Sequence, residues 1–175
     1  MPVKVQGAIA LRKALRDFDP NLAKETQKEI ASFLKPVVRE ARGFLPSDSN
    51  TLSNWSYKNV KDTSRFPAYN YATAKRGVTY KTSPSKMNRR GFRALASIFN
   101  KTAAGAIYET AGRKNPNSTF VRNIEAKYGS KMVGKDKMQG RVIFRAYEEN
   151  EGKAQDGVIR AIEKAAAKFK AATNV

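Results

Sequence analysis

The stretch from Ser83 to Asn117 (SPSKMNRRGFRALASIFNKTAAGAIYETAGRKNPN) most narrows how this chain can fold. Its centre is apolar and small, running through Leu95, Ala96, Ile98 and Phe99 and then from Ala103 to Tyr108. Both of its ends are cationic, with Lys86, Arg89, Arg90 and Arg93 at one and Arg113 and Lys114 at the other. Apolar surface gains by leaving water, whereas unpaired charge pays heavily for doing so. The stretch therefore predicts a packed core element that presents charge at its two edges.

On the N-terminal side, Leu11, Ala14, Leu15 and Phe18 fall at i, i+3, i+4 and i+7, the spacing of a short amphipathic helix. Asp19-Pro20 then supplies an N-cap and a proline at the first helical position. The helix it opens carries Leu22, Ile30, Phe33, Leu34, Val37 and Ala41 on one face. Pro36 sits inside that pattern at a cost of about 3 kcal/mol, so a kinked helix ending near Gly43 is expected. Phe44 to Ala74 is rich in turn residues and holds Trp55, Tyr57, Phe66 and Tyr69. A loop of this length is uncommon in a compact domain. Its aromatics either anchor it on the core or form an interface arm that orders on assembly, since aromatics enrich such surfaces.

Lys75 to Thr82 alternates as a strand, and a second strand is expected over Phe92 to Asn100, so the basic cluster falls at a hairpin tip. Thr102 predicts the cap of a short helix through Thr110, and Thr119 opens another through Tyr128. Lys127 to Gly140 is a basic loop punctuated by glycine, Arg141 to Tyr147 (RVIFRAY) suggests a third strand, and Asn150 begins the last helix. That helix buries Val158, Ile162, Ala165, Ala166 and Phe169. The sum is a single α+β domain over residues 1–175: N-terminal helices, a small mostly antiparallel sheet, a C-terminal helix, and a long arm at about 44–74.

Charge bears on partners. The net charge of +19 is concentrated in the middle of the chain, where residues 51–125 carry 14 basic and 3 acidic side chains. Such a field favours anionic partners. Cysteine and histidine are both zero, which removes disulfides, thiol nucleophiles, His-based triads and Cys or His metal sites. Glu148, Glu149 and Glu151 lack convergent partners and are expected to be solvated or to lie near the start of the last helix. Gly129 to Asp136 matches phosphate-loop spacing through Lys135 but puts Asp136 where Ser or Thr should hold magnesium, and lacks the strand–loop–helix context. Glu109 and Arg113, four residues apart, suggest a helical ion pair or a helix-end contact. No enzyme, cofactor or metal is expected. Neither a secretory core nor a membrane-length apolar run is seen, so the chain is expected to stay in the cytosol or leave it by lysis.

Several phrases, taken in order, resemble one family. They are VKVQGAIALRKALRDFDPNLAKE, LKPVVREARGFLP, RGVTYKT, RGFRALASIFNKTAAGAIYETAGRK and GRVIFRAYEENEG. Together they are similar to the small neck or tail-completion components of long-tailed bacteriophages, especially siphophages of actinobacteria. The resemblance implies a non-enzymatic virion protein, assembled in the host cytoplasm as a homo-oligomeric ring between the head connector or stopper and the tail terminator or tail tube. It also implies that the 44–74 and 127–140 loops meet neighbouring rings. Lys86, Arg89, Arg90, Arg93, Arg113 and Lys114 would then face acidic protein or the genomic DNA in the channel. The alternative is a free, sequence-independent DNA-binding protein of nucleoid type, whose contacts would be to the phosphate backbone.

Overall fold

The computed structural model describes residues 7–47, 55, 67–89, 91–128, 132–133 and 139–173. The fold is α+β: helices lead and close the chain, and a two-stranded antiparallel sheet lies between them. The chain divides into two compact units. One comprises residues 1–36, 80–97 and 150–175, the other residues 37–79 and 98–149.

In the first unit, α1 (Ala8–Phe18) gives way to α2 (Pro20–Gly43) through Asp19 alone. The Asp19 carboxylate accepts the N–H groups of Asn21 and Leu22 at 2.9 and 3.0 Å, the capping role its place before Pro20 suggested. Leu15, Leu22 and Ala23 pack with Ala165 of α6 (Ile143–Thr173), and Leu11 and Phe169 close over them. Phe18 meets Phe169 edge-on at 5.4 Å between ring centres. Beside this apolar seam, Lys168 and Lys164 reach Glu25 and Glu29 at 2.9 and 3.3 Å. The hydrogen bond and charge of Lys168 hold the Glu25 carboxyl below its ordinary value of 4.5. Gly157 lets the helices approach closely: a Cβ there would lie 2.3 Å from the Phe33 ring.

In the second unit, α3 (Tyr71–Gly77) takes residues that alternation had placed partly in a strand. The Asn70 side chain accepts the Thr73 N–H at 2.9 Å and starts this helix, so β1 begins only at Val78 (Val78–Lys81). The expected second strand is likewise shorter, with β2 confined to Ser97–Asn100. Asn100 ends β2 in a tight seat. Its amide donates to the Ala74 carbonyl at 3.0 Å and accepts from the Thr102 N–H and hydroxyl at 2.9 and 2.7 Å. Cβ atoms at Gly77 and Gly105 would fall 2.3 and 2.2 Å from that amide. Thr102 in turn caps α4 (Ala103–Thr110) by accepting the Gly105 N–H, and α5 spans Thr119–Tyr128, both as expected.

RVIFRAY is not a strand. Ile143 to Tyr147 forms the first turns of α6, which therefore starts seven residues before Asn150. Glu109, in α4, decides this. Its carboxylate, only 6% exposed, accepts the backbone N–H groups of Val142 (2.7 Å), Ile143 (3.1 Å) and Phe144 (3.1 Å). These are the donors that a helix start leaves without internal partners, and the negative charge suits the positive end of the helix dipole. Glu109 thus makes no local pair with Arg113, whose guanidinium donates to the Gln139 carbonyl and lies 5.1 Å from the Phe144 ring centre. Arg141 completes the exchange. Only 1% exposed, it donates to the Tyr108 and Ala111 carbonyls at the end of α4 and to Glu125 at 3.0 Å. Each helix end is satisfied by a side chain from beside the other.

Candidate functional site

Lys86, Arg89 and Arg93 lie on the connection between β1 and β2, in the first unit, and Arg90 falls outside the described residues. The connection is ordered by its own backbone. Asn88 donates its N–H to the Phe92 carbonyl at 2.9 Å, its carbonyl accepts from Gly91 at 3.0 Å, and its side chain accepts from Phe92 at 2.9 Å. Gly91 has φ 72°, a turn conformation that glycine adopts without cost. Below the turn, Ser85 N–H donates to the Ala94 carbonyl at 2.8 Å, and the Ser85 hydroxyl accepts the Ala94 N–H at 2.8 Å. The base is fixed to the helices of the same unit. Arg12 of α1 donates to the Thr82 carbonyl, and Leu95 lines a small apolar void with Leu11, Leu15, Ile30 and Ile162. Burial first, and Arg16 second, lower the Arg12 pKa from its ordinary value.

The turn presents Lys86, Met87, Asn88 and Arg89 to solvent, with Met87 64% exposed. Arg93 is exposed too, its Nε bonded to the Ser85 carbonyl at 3.1 Å. Among the described residues none of Lys86, Arg89 and Arg93 enters an ion pair. From Thr63 to Tyr108 the chain has no Asp or Glu and nine Lys or Arg. The arrangement is a pre-shaped cationic surface that no carboxylate neutralises among the described residues.

Arg113 and Lys114 belong to the other unit, on the turn between α4 and α5, where Gly112 has φ 98°. They edge a groove of about 460 Å³ whose other walls include Ile107, Phe120 and Val121. Arg113 is held there by Gln139 and Phe144, and Lys114 is exposed.

Of the aromatics between Phe44 and Ala74, Trp55 and Tyr69 are 2% and 1% exposed. Trp55 donates its ring N–H to the Pro67 carbonyl and meets Phe120 edge-on at 5.2 Å, while Tyr69 donates its hydroxyl to the Pro46 carbonyl at 3.0 Å. The core-anchor alternative describes these two residues. Tyr57 and Phe66 lie outside the described residues, as does most of the phosphate-loop-like segment, of which Met132 and Val133 are described. Val133 pairs with Gly140 through two backbone bonds of 2.9 Å. Glu148, Glu149 and Glu151 all fall within α6, Glu149 pairing with Arg145 at 3.1 Å. Among the described residues no three Asp or Glu side chains converge as a metal site, and no helix is long and apolar enough to cross a membrane.

Sequence reasoning placed the basic turn but missed Arg12, which fixes its base, and the parts that Glu109 and Arg141 play at helix ends within the other unit. The signal available for Glu109 was a carboxylate inside an otherwise uncharged, apolar helix segment, AAGAIYET. Comparison of the chain with protein-family models, characterised proteins and solved structures finds no match.

Proposed function

We propose that this chain is a structural virion protein of a long-tailed bacteriophage, a neck or tail-completion ring component that joins the head connector to the tail tube. The single observation that carries the reading is the basic turn, which is shaped before any partner arrives and leaves Lys86, Arg89 and Arg93 exposed without carboxylate partners among the described residues. A turn with its backbone already ordered gives an assembling subunit a fixed anion-facing contact, and it loses little loop entropy on docking. The order of sequence phrases resembling neck components supports the same reading. The ring and its neighbours, the connector or stopper and the tail terminator or tube, belong to the proposal, as does assembly in the host cytoplasm. The net charge of +19 also favours a second reading, a free DNA-coating protein of nucleoid type.

Mass spectrometry of gradient-purified virions separates them. The neck reading expects this chain at a stoichiometric copy number comparable with other ring proteins. Its absence from particles, with the protein recovered on intracellular DNA, would replace that reading with the second.

A further inference from the structure

Resting on the reading of the 85–94 turn as the anion-facing surface, we infer that its partner is the phosphate backbone of duplex DNA, bound without regard to sequence. Three observations converge. First, the charge is of one sign: the run from Thr63 to Tyr108 is free of acids, and the exposed cations of the turn have no carboxylate partner among the described residues. A protein interface is built around a desolvated centre of aromatic and other large apolar side chains, whereas the turn exposes one large apolar side chain, Met87, with Phe92 partly covered. A polyanion of uniform charge matches that composition better than a folded acidic surface does.

Second, the shape is that of a narrow turn outside the strands, whose two limbs are joined by the Ser85–Ala94 and Asn88–Phe92 backbone bonds and which carries Lys86, Arg89 and Arg93 exposed along it. Third, the backbone of the turn is fixed: its crossing bonds and the Arg12 contact to Thr82 set its course, and the Ser85 carbonyl bond holds Arg93. Arg93 already spends its Nε on the Ser85 carbonyl across the turn, so its guanidinium fork is not free as a whole for a base edge. The turn therefore engages phosphates and leaves base edges unread.

Counterion release turns this into a number. If Lys86, Arg89 and Arg93 each neutralise one phosphate, they contribute about −2.7 to the slope of log affinity against log salt. Their share of the affinity then falls about 40-fold for a fourfold rise in salt.

The test uses the full chain and a fluorescent 20-base-pair duplex of mixed sequence, titrated at several salt concentrations. Compared with it are the variant K86Q/R89Q/R93Q and a variant neutralised elsewhere, K24Q/K28Q/K35Q, on exposed positions of α2. The turn variant is expected to reduce the slope by about 2.7 and the α2 variant to keep it, with both melting as the wild type does. Scrambling the duplex sequence is expected to change nothing. Equal slopes in wild type and turn variant would overturn the inference. So would displacement of the duplex by polyglutamate as readily as by unlabelled DNA, which would assign the turn to an acidic protein surface. If DNA binding fails while the chain is found in virions, the inference falls and the neck reading stands. Binding as expected with the chain absent from virions does the reverse.

Discussion

Glu109→Gln removes one charge and moves no heavy atom, so it isolates what the carboxylate does for α6. In the native protein its two oxygens receive the N–H groups of Val142, Ile143 and Phe144 at 2.7 to 3.1 Å. The amide keeps one oxygen and turns an NH₂ toward donors that need an acceptor. One charge-assisted bond is lost and a buried N–H is left unpaired, which costs about 1.5–3 kcal/mol. Removing the negative charge from the helix start adds about 0.3–1 kcal/mol. The sum is about 2–4 kcal/mol, and at about 2–4 °C per kcal/mol for a chain of this length the melting midpoint should fall by about 5–15 °C. Scanning calorimetry measures the midpoint, and amide hydrogen exchange locates the effect: Val142, Ile143 and Phe144 should lose protection before the rest of α6. A midpoint within about 1 °C of wild type, or unchanged exchange at those three amides, would refute the claim that Glu109 sets the start of α6.

Other outcomes follow from the packing. Gly140→Ala would put a Cβ 2.0 Å from the same carboxylate and should destabilise by about 1–3 kcal/mol in urea denaturation; a neutral effect would mean that Glu109 can move freely. Gly157→Ala gains about 1 kcal/mol of helix propensity but would overlap Phe33, so it should stabilise only in a Phe33→Ala background; equal effects in both backgrounds would rule out the close approach. Asn100→Ala removes the Ala74 and Thr102 bonds and should cost about 2–4 kcal/mol; an effect below about 1 kcal/mol would show that the seat between Gly77 and Gly105 refills. Because Lys168 lowers the folded-state pKa of Glu25, the contribution of the pair is present above the ordinary value of 4.5 and is lost as pH falls through the lowered one. Glu25→Gln should therefore be less stable than wild type at neutral pH and approach it in acid, and a gap independent of pH would contradict that.

What the sequence made legible is local. Asp19 before Pro20 and Thr102 before Ala103 carry their caps within three residues, and both helices begin where those signals say. The basic turn was legible for the same reason: Asn88 and Gly91 are turn residues acting on their immediate neighbours. RVIFRAY was not, because a short apolar run with β-branched residues fits a strand or a buried helix equally well. Its helix start has no capping residue at Gly140, Arg141 or Val142 and borrows one from Glu109, more than thirty residues upstream. Likewise, Trp55 and Tyr69 look the same in sequence whether they serve an arm or a core, and only their bonds to Pro67 and Pro46 decide.

The central claim is that the chain builds a ring at the head–tail junction. Cryo-electron microscopy of virions of a long-tailed phage that the proposed reading takes to carry the chain tests this most directly. The account predicts a ring of density at the neck into which α2 and α6 fit as continuous helices, with the turn that carries Lys86, Arg89 and Arg93 facing an anionic surface. Symmetric reconstructions in which every neck density is accounted for by other proteins would contradict it.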